Sequence, residues 1–176
     1  MIKKFELDLS SKITVFGIDL FRIKALISFS DVEKGELGGY VEKEENLSHS
    51  GNAWVTGNAK VYGNARVYSN ADVSGNAKVY DNALVSGYAK VTDNARVYSN
   101  ARVFGDAKVY DNAKVTDNAL VYGNAKVYGD ARVTDNAWVT GNAKVTGNAE
   151  VTNIAWVTGN AKVTGNAKVY GGELLN

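Results

Sequence analysis

The sequence predicts an all-β fold in which short parallel strands wind into a solenoid, and three observations carry that prediction. Alanine occupies position 53 and every sixth position to 167, and valine does the same from 55 to 169, so that twenty hexads run from Gly51 to Tyr170 without an insertion. Within each hexad Ala and Val stand two apart around one variable residue, the alternation of a strand whose Ala and Val face inward. The next two positions carry Gly, Asp, Ser or Asn and then usually Asn, residues that tolerate positive φ or bond their own backbone. Each hexad therefore reads as a short strand and a corner. A hexad cannot bury its apolar stripe alone, so successive hexads must stack around a core of alanine and valine.

Ahead of the hexads, KFELDL and ITVFGIDLFRIKALISF read as two or three strands, followed by the turn-rich DVEKGELGGYVEKEENLS. Phe21, Ile23, Ala25, Ile27 and Phe29 alternate with Arg22, Lys24 and Ser28, which predicts one apolar face. The open end of a stack of strands exposes unpaired backbone, and a β cap covers it. Residues 1–38 are expected to form that cap, 39–170 the solenoid and 171–176 a short tail.

Composition narrows the chemistry. The length of 176 residues suits one domain. No apolar run approaches the roughly 18 residues of a membrane span, and the start MIKKFELDLSSK lacks the apolar core of a signal peptide, so the expected setting is cytoplasmic and away from membranes. The absence of cysteine removes disulfides, thiolate zinc sites and a cysteine nucleophile, and one histidine leaves little for an imidazole site; no metal or other cofactor is expected. A net charge of +1 argues against a bulk electrostatic partner unless charge is segregated in space.

The repeat resembles the hexapeptide repeat of the left-handed parallel β-helix family, which includes many acyltransferases. The resemblance covers about two thirds of the chain. It implies three hexads per triangular coil, about seven coils and a left-handed winding; the general rule for parallel crossovers favours the right hand, so the left hand follows from the resemblance alone. LFRIKAL, ELGGYVEKEENLS and the asparagine-alanine hexads are also similar to phage and bacterial hexapeptide proteins often labelled transferases, a label that follows the fold, and fold does not establish reaction. One departure is that Tyr or Thr usually follows the inward Val, where the family commonly has small or acidic residues.

With three hexads per coil, every third hexad shares a face, and the outward residues sort into columns. The first reads Trp54, Asp72, Lys90, Lys108, Lys126, Lys144, Lys162, and the second Lys60, Lys78, Arg96, Lys114, Arg132, Glu150, Lys168. The third reads Arg66, Leu84, Arg102, Leu120, Trp138, Trp156, with Phe104 and Tyr122 beside it, and contains no lysine. That aromatic and Arg-rich face has the composition of an interface core and is the candidate self-association surface, with Trp138 and Trp156 expected to stack. On the second face Lys60 with Tyr62, Lys78 with Tyr80 and Arg96 with Tyr98 form a basic-aromatic strip that is a candidate for holding an anionic polymer or nucleotide. Neighbouring lysines repel by roughly 1 kcal/mol in water, which the corner acids Asp93, Asp111 and Asp130 are expected to offset in part. Asp117 and Asp135 read as corner residues, a poor cage for calcium, and the corner asparagines as stacked amide ladders.

Only His49 can serve as an imidazole base. Counted back six from Val55 it falls in the inward valine slot of a degenerate leading hexad, with Leu47 in the alanine slot, and reads as a core or cap residue. Unbroken hexads leave no extruded loop for a substrate pocket, so no catalytic residue is assigned. The expected function is a non-enzymatic scaffold or binding module that assembles with itself, a trimer being favoured by the resemblance and a dimer second. The alternatives are a divergent acyltransferase and a binder of an anionic polymer or nucleotide.

Overall fold

The computed structural model of the protein describes residues 2–175; Met1 and Asn176, the outer ends of the expected cap and tail, lie outside them. The hexads form a three-sided parallel β-solenoid. Each contributes a two-residue strand, the variable residue and its Val; the strands from Trp54–Val55 to Glu150–Val151 pair in parallel with the strand eighteen residues on, as in Lys60↔Lys78 and Val61↔Val79, and Trp156–Val157 pairs with Glu173–Leu174 seventeen residues on. The faces carry seven strands from Trp54–Val55 to Lys162–Val163, eight from Leu37–Val41 to Lys168–Val169, and seven from Arg66–Val67 to Glu173–Leu174. Every hexad alanine from Ala53 to Ala161 and every hexad valine from Val55 to Val163 is buried. The side chains are small because three sheets meeting around one axis leave room for little more than a methyl or isopropyl group per position.

The corners follow from backbone geometry. Ser69, Asp81, Asp93, Ser99, Asp111, Asp117, Asp135 and Asn153 adopt φ between 57° and 62°, the left-handed region that short polar side chains tolerate. The corner carboxylates then bond along the stack. The N–H of Ser99 donates to Asp81 Oδ2 at 3.1 Å, that of Asp111 to Asp93 Oδ2 at 3.3 Å, that of Gly129 to Asp111 Oδ2 at 3.0 Å and that of Asn153 to Asp135 Oδ2 at 3.0 Å. The corner acids, expected to offset the lysine ladders in part, thus also tie each coil to the next. Among the described residues no ion pair joins a corner aspartate to a column lysine. Hydrogen bonds to Thr152 and to the Asn153 backbone hold the Asp135 carboxyl below its usual range. The next corner position builds amide ladders, such as Asn64 to Asn82 and Asn82 to Asn100, each at 3.2 Å.

Strands β1 (Phe5–Val15) and β2 (Ile18–Ala25) form an antiparallel hairpin, turned at Phe16 and Gly17 with φ of 50° and 82°. Strand β3 (Leu37–Val41) pairs antiparallel with β2 and parallel with Lys60–Val61, which joins cap to solenoid. The hexads thus inherit an eighth strand on this face from a segment expected to be turn-rich. Glycine makes this possible. A Cβ at Gly38 would meet Ile23 Cγ1 at 2.5 Å and the Val55 carbonyl at 2.6 Å. The expected apolar face of the cap is shorter than its pattern: Ile23 and Ala25 are buried, β2 ends there, and Ile27 is exposed.

The first coil is longer than the rest. Val41 pairs with Val61 and Leu47 with Val67, twenty residues apart, and the two additional residues lie between Leu47 and Val55. This corrects the placement of His49. Leu47 takes the inward slot beneath Val67, and His49 moves out to the lengthened corner, where it stacks on Phe5 with centroids 4.3 Å apart. Trp54 is corrected as well. It heads the first outward column, yet the cap folds over it, and it packs edge-on against Phe5 and Phe29.

The start of the stack leaves carbonyls without an earlier coil to bond them, and three devices supply donors. The β3 backbone covers the second face, with the N–H of Tyr40 donating to Ala59 O at 2.9 Å. On the first face the buried Lys4 ammonium donates to Gly51 O at 3.2 Å and Ala53 O at 2.7 Å. On the third, buried Asn46 donates its amide to Gly63 O at 3.1 Å and Ala65 O at 2.9 Å. Two unrelated side chains thus serve equivalent carbonyls on two faces.

Candidate functional site

The third face brings its predicted residues into one column: Arg66, Leu84, Arg102, Leu120, Trp138 and Trp156 pair in unbroken parallel register. Phe104 and Tyr122 stack alongside, 4.9 Å apart at 4°. The tryptophans do not stack. Their centroids lie 5.3 Å apart at 80°, an edge-to-face contact that directs the ring edge of one at the face of the other, as the ring quadrupole favours. They remain 39% and 40% exposed, so their own contact leaves much of both rings uncovered. Ile154, 74% exposed, stands two residues before Trp156 at the adjoining corner and enlarges the apolar surface. It was not among the predicted residues, although it is the one aliphatic residue in a corner position otherwise held by Asn, Asp and Tyr.

The second-face strip is also in register, but its members meet different surroundings. Tyr62, Tyr80 and Tyr98 form one stack, with centroids 5.0 and 4.9 Å apart and planes within 4°. Within the stack each ring face is covered by the next. Burial, the neighbouring phenols and Asp81 push Tyr80 up to about 12, so it stays an uncharged donor at neutral pH. Lys60 is turned back on the chain, donating to Asn58 O at 2.8 Å with its ammonium 5.6 Å from the Tyr40 ring centroid. Burial, and then Lys78, lower its pKa. Lys78, Tyr80 and Arg96 line a groove of about 310 Å³ with Tyr62, Asp81 and Phe16. Phe16, at the hairpin tip and 89% exposed, is a second residue that the sequence pattern missed; an aromatic residue before Gly at a turn was the available signal.

His49 is held on three sides. Its Nδ1 accepts the Lys4 backbone N–H at 3.2 Å, its ring lies on Phe5, and its Nε2 is 3.4 Å from Glu44 Oε2. Glu44 is bridged to Lys3 at 2.7 Å, which with the His49 contact holds its carboxyl below the usual range. Both line an open groove of about 840 Å³ with Arg66 and Tyr68 at the head of the third face. Among the described residues, no three His, Asp or Glu side chains gather as a metal site, and no helix is long and apolar enough to cross a membrane.

Comparison of the chain with curated proteins yields no match. The signature of the YdcK Beta solenoid repeat matches residues 125–141. That segment spans Lys126–Val127, Arg132–Val133 and Trp138–Val139, one strand from each face. In this coil, which carries the first of the two exposed tryptophans, the chain is similar to the YdcK β-solenoid repeat.

Proposed function

We propose that the protein is a non-enzymatic scaffold that assembles with copies of itself through the third face, in a left-handed solenoid with threefold association favoured over a dimer. The observation that supports this reading is the exposed Trp138 and Trp156 pair, continuous with Leu120, Tyr122 and Ile154 on a face without lysine. Burying about 300 Å² of such surface contributes about 7 kcal/mol before the costs of association, far more than an exposed ion pair offers. The energy is concentrated in the two indoles, as in the aromatic centres of other interfaces.

The test is sedimentation of the wild type and of Trp138→Lys with Trp156→Lys. The wild type should sediment as an oligomer and the double variant as a monomer with unchanged β circular dichroism, because both side chains point away from the Ala-Val core. Lys114→Glu on the second face should leave assembly unchanged. A monomeric wild type, or a double variant that still assembles, overturns the reading. Turnover of an acyl-coenzyme A that is lost in His49→Ala overturns its non-enzymatic part.

A further inference from the structure

The first face carries neither of the surfaces above. There Lys90, Lys108, Lys126 and Lys144 occupy successive coils in parallel register. Strand pairing spaces them about 4.8 Å apart along the axis. They line a groove of about 530 Å³ that Asn124 and Asn142 also border.

Two features set this column apart from an ordinary solvated face. The first is that little answers its charge. The ion pairs among the described residues lie in the cap and between Lys168 and Glu150 on the second face. The carboxylates of Asp93 and Asp111, three residues beyond Lys90 and Lys108, accept backbone N–H groups. Asp106 is the acid on the groove itself. The second feature is a row of amides. Asn124 and Asn142 each donate one amide hydrogen to the next asparagine at 3.2 Å, which leaves each with a second.

We propose that this groove binds a linear polyuronate, a polysaccharide with one carboxylate per sugar ring, laid along the solenoid axis. A sugar ring with its linkage spans about one coil, so carboxylates on one side of such a chain recur at every lysine or every second lysine. The asparagine amides meet the ring hydroxyls. An extended acidic peptide repeats its same-side charges about every 6.6–6.8 Å and falls out of step within two coils. A single nucleic-acid strand gains much of its affinity by stacking bases on open aromatic faces. Beside this column Tyr110 and Tyr128 lie 4.8 Å apart at 3° and cover each other, so that the aromatic residue lining the groove with an open ring is Tyr88, 64% exposed at the Lys90 end, and a single ring does not serve a run of bases. Asp72, paired with Lys90 in the register, and Asp31 near it close the upper end against an anion, so the polymer runs from Lys90 toward Lys162.

Titration calorimetry of the full chain with polygalacturonate, at low and high salt, tests this. Binding at low salt should weaken as salt is added, and dextran should not bind. Lys108→Gln with Lys126→Gln and Lys144→Gln should weaken binding about tenfold or more with the circular dichroism unchanged, whereas Lys114→Gln with Arg132→Gln on the second face should not. No binding of polygalacturonate, equal binding by the triple variant, or tighter binding of polyglutamate or oligothymidylate overturns the proposal.

Discussion

Lys4 stands where an earlier coil would otherwise end, an ammonium buried against Phe29 with the Gly51 and Ala53 carbonyls as acceptors. Burial lowers its pKa from 10.5 to about 8. A lysine with a depressed folded-state pKa favours the fold in its neutral form, and the amine keeps hydrogens to donate. Its contribution is therefore greatest above pH 10.5, declines as pH falls through about 8, and is least below that. Lys4→Met should remove this pH dependence. Measured as melting temperature between pH 7 and 11, wild type minus variant should rise across that window, and a flat difference would count against the burial argument. At the alkaline end, where the amine is neutral in both states, the variant should lose about 1–3 kcal/mol, because the Ala53 carbonyl is left without its donor. Asn46 plays the equivalent part without a titrating group, so nothing comparable is expected of it.

Among elements, β3 decides whether cap and solenoid form one sheet. Gly38 and Gly39 let it pass so close to the first coil that a methyl group at either position would meet a backbone carbonyl, that of Val55 at 2.6 Å or that of Ala59 at 2.8 Å. Gly38→Ala should cost about 1–3 kcal/mol in chemical denaturation, the usual toll of overpacking. Gly171→Ala, whose methyl would meet only Ile154 at 3.7 Å, should cost less than about 0.5 kcal/mol. The same glycines show where sequence reading stops. Gly-Gly reads as a turn by conformational freedom, whereas here it is selected for the absence of a side chain, and that requirement exists only once another chain segment is in place. The two additional residues between Leu47 and Val55 are equally silent, since inserted corner residues look like any others, and they carry His49 out of the slot that counting assigns it. Inside the hexads nothing of this kind intervenes, and the period alone assigns Lys90, Arg96 and Arg102 to their three faces. The composition of the third face is legible for the same reason. The edge-to-face setting of its tryptophans is not, because ring orientation follows from local packing and leaves the period unchanged.

For the whole molecule the period is also a rule of assembly. Deleting residues 87–104 removes eighteen residues, one complete coil, and returns every later strand to its own face. Deleting 141–146 removes one hexad between the two tryptophans and rotates each later column onto the next face, which takes Trp156 off the face of Trp138 and puts Lys162 in its place. The first deletion should keep a cooperative melt and the sedimentation of the wild type, and the second should keep the β signal while losing assembly, because it disperses the apolar column. Equal behaviour of the two would contradict a face-specific interface. The same architecture has a mechanical side. Each face of a coil is hydrogen-bonded only to the coils before and after it, through the same kinds of bond repeated at every level. The interior holds no large side chain spanning several levels within the hexads. Drawn out along its axis, such a chain yields coil by coil, as a spool gives up thread, each coil releasing about 60 Å of extended backbone. The force needed is set by the weakest remaining coil, whatever the number still wound.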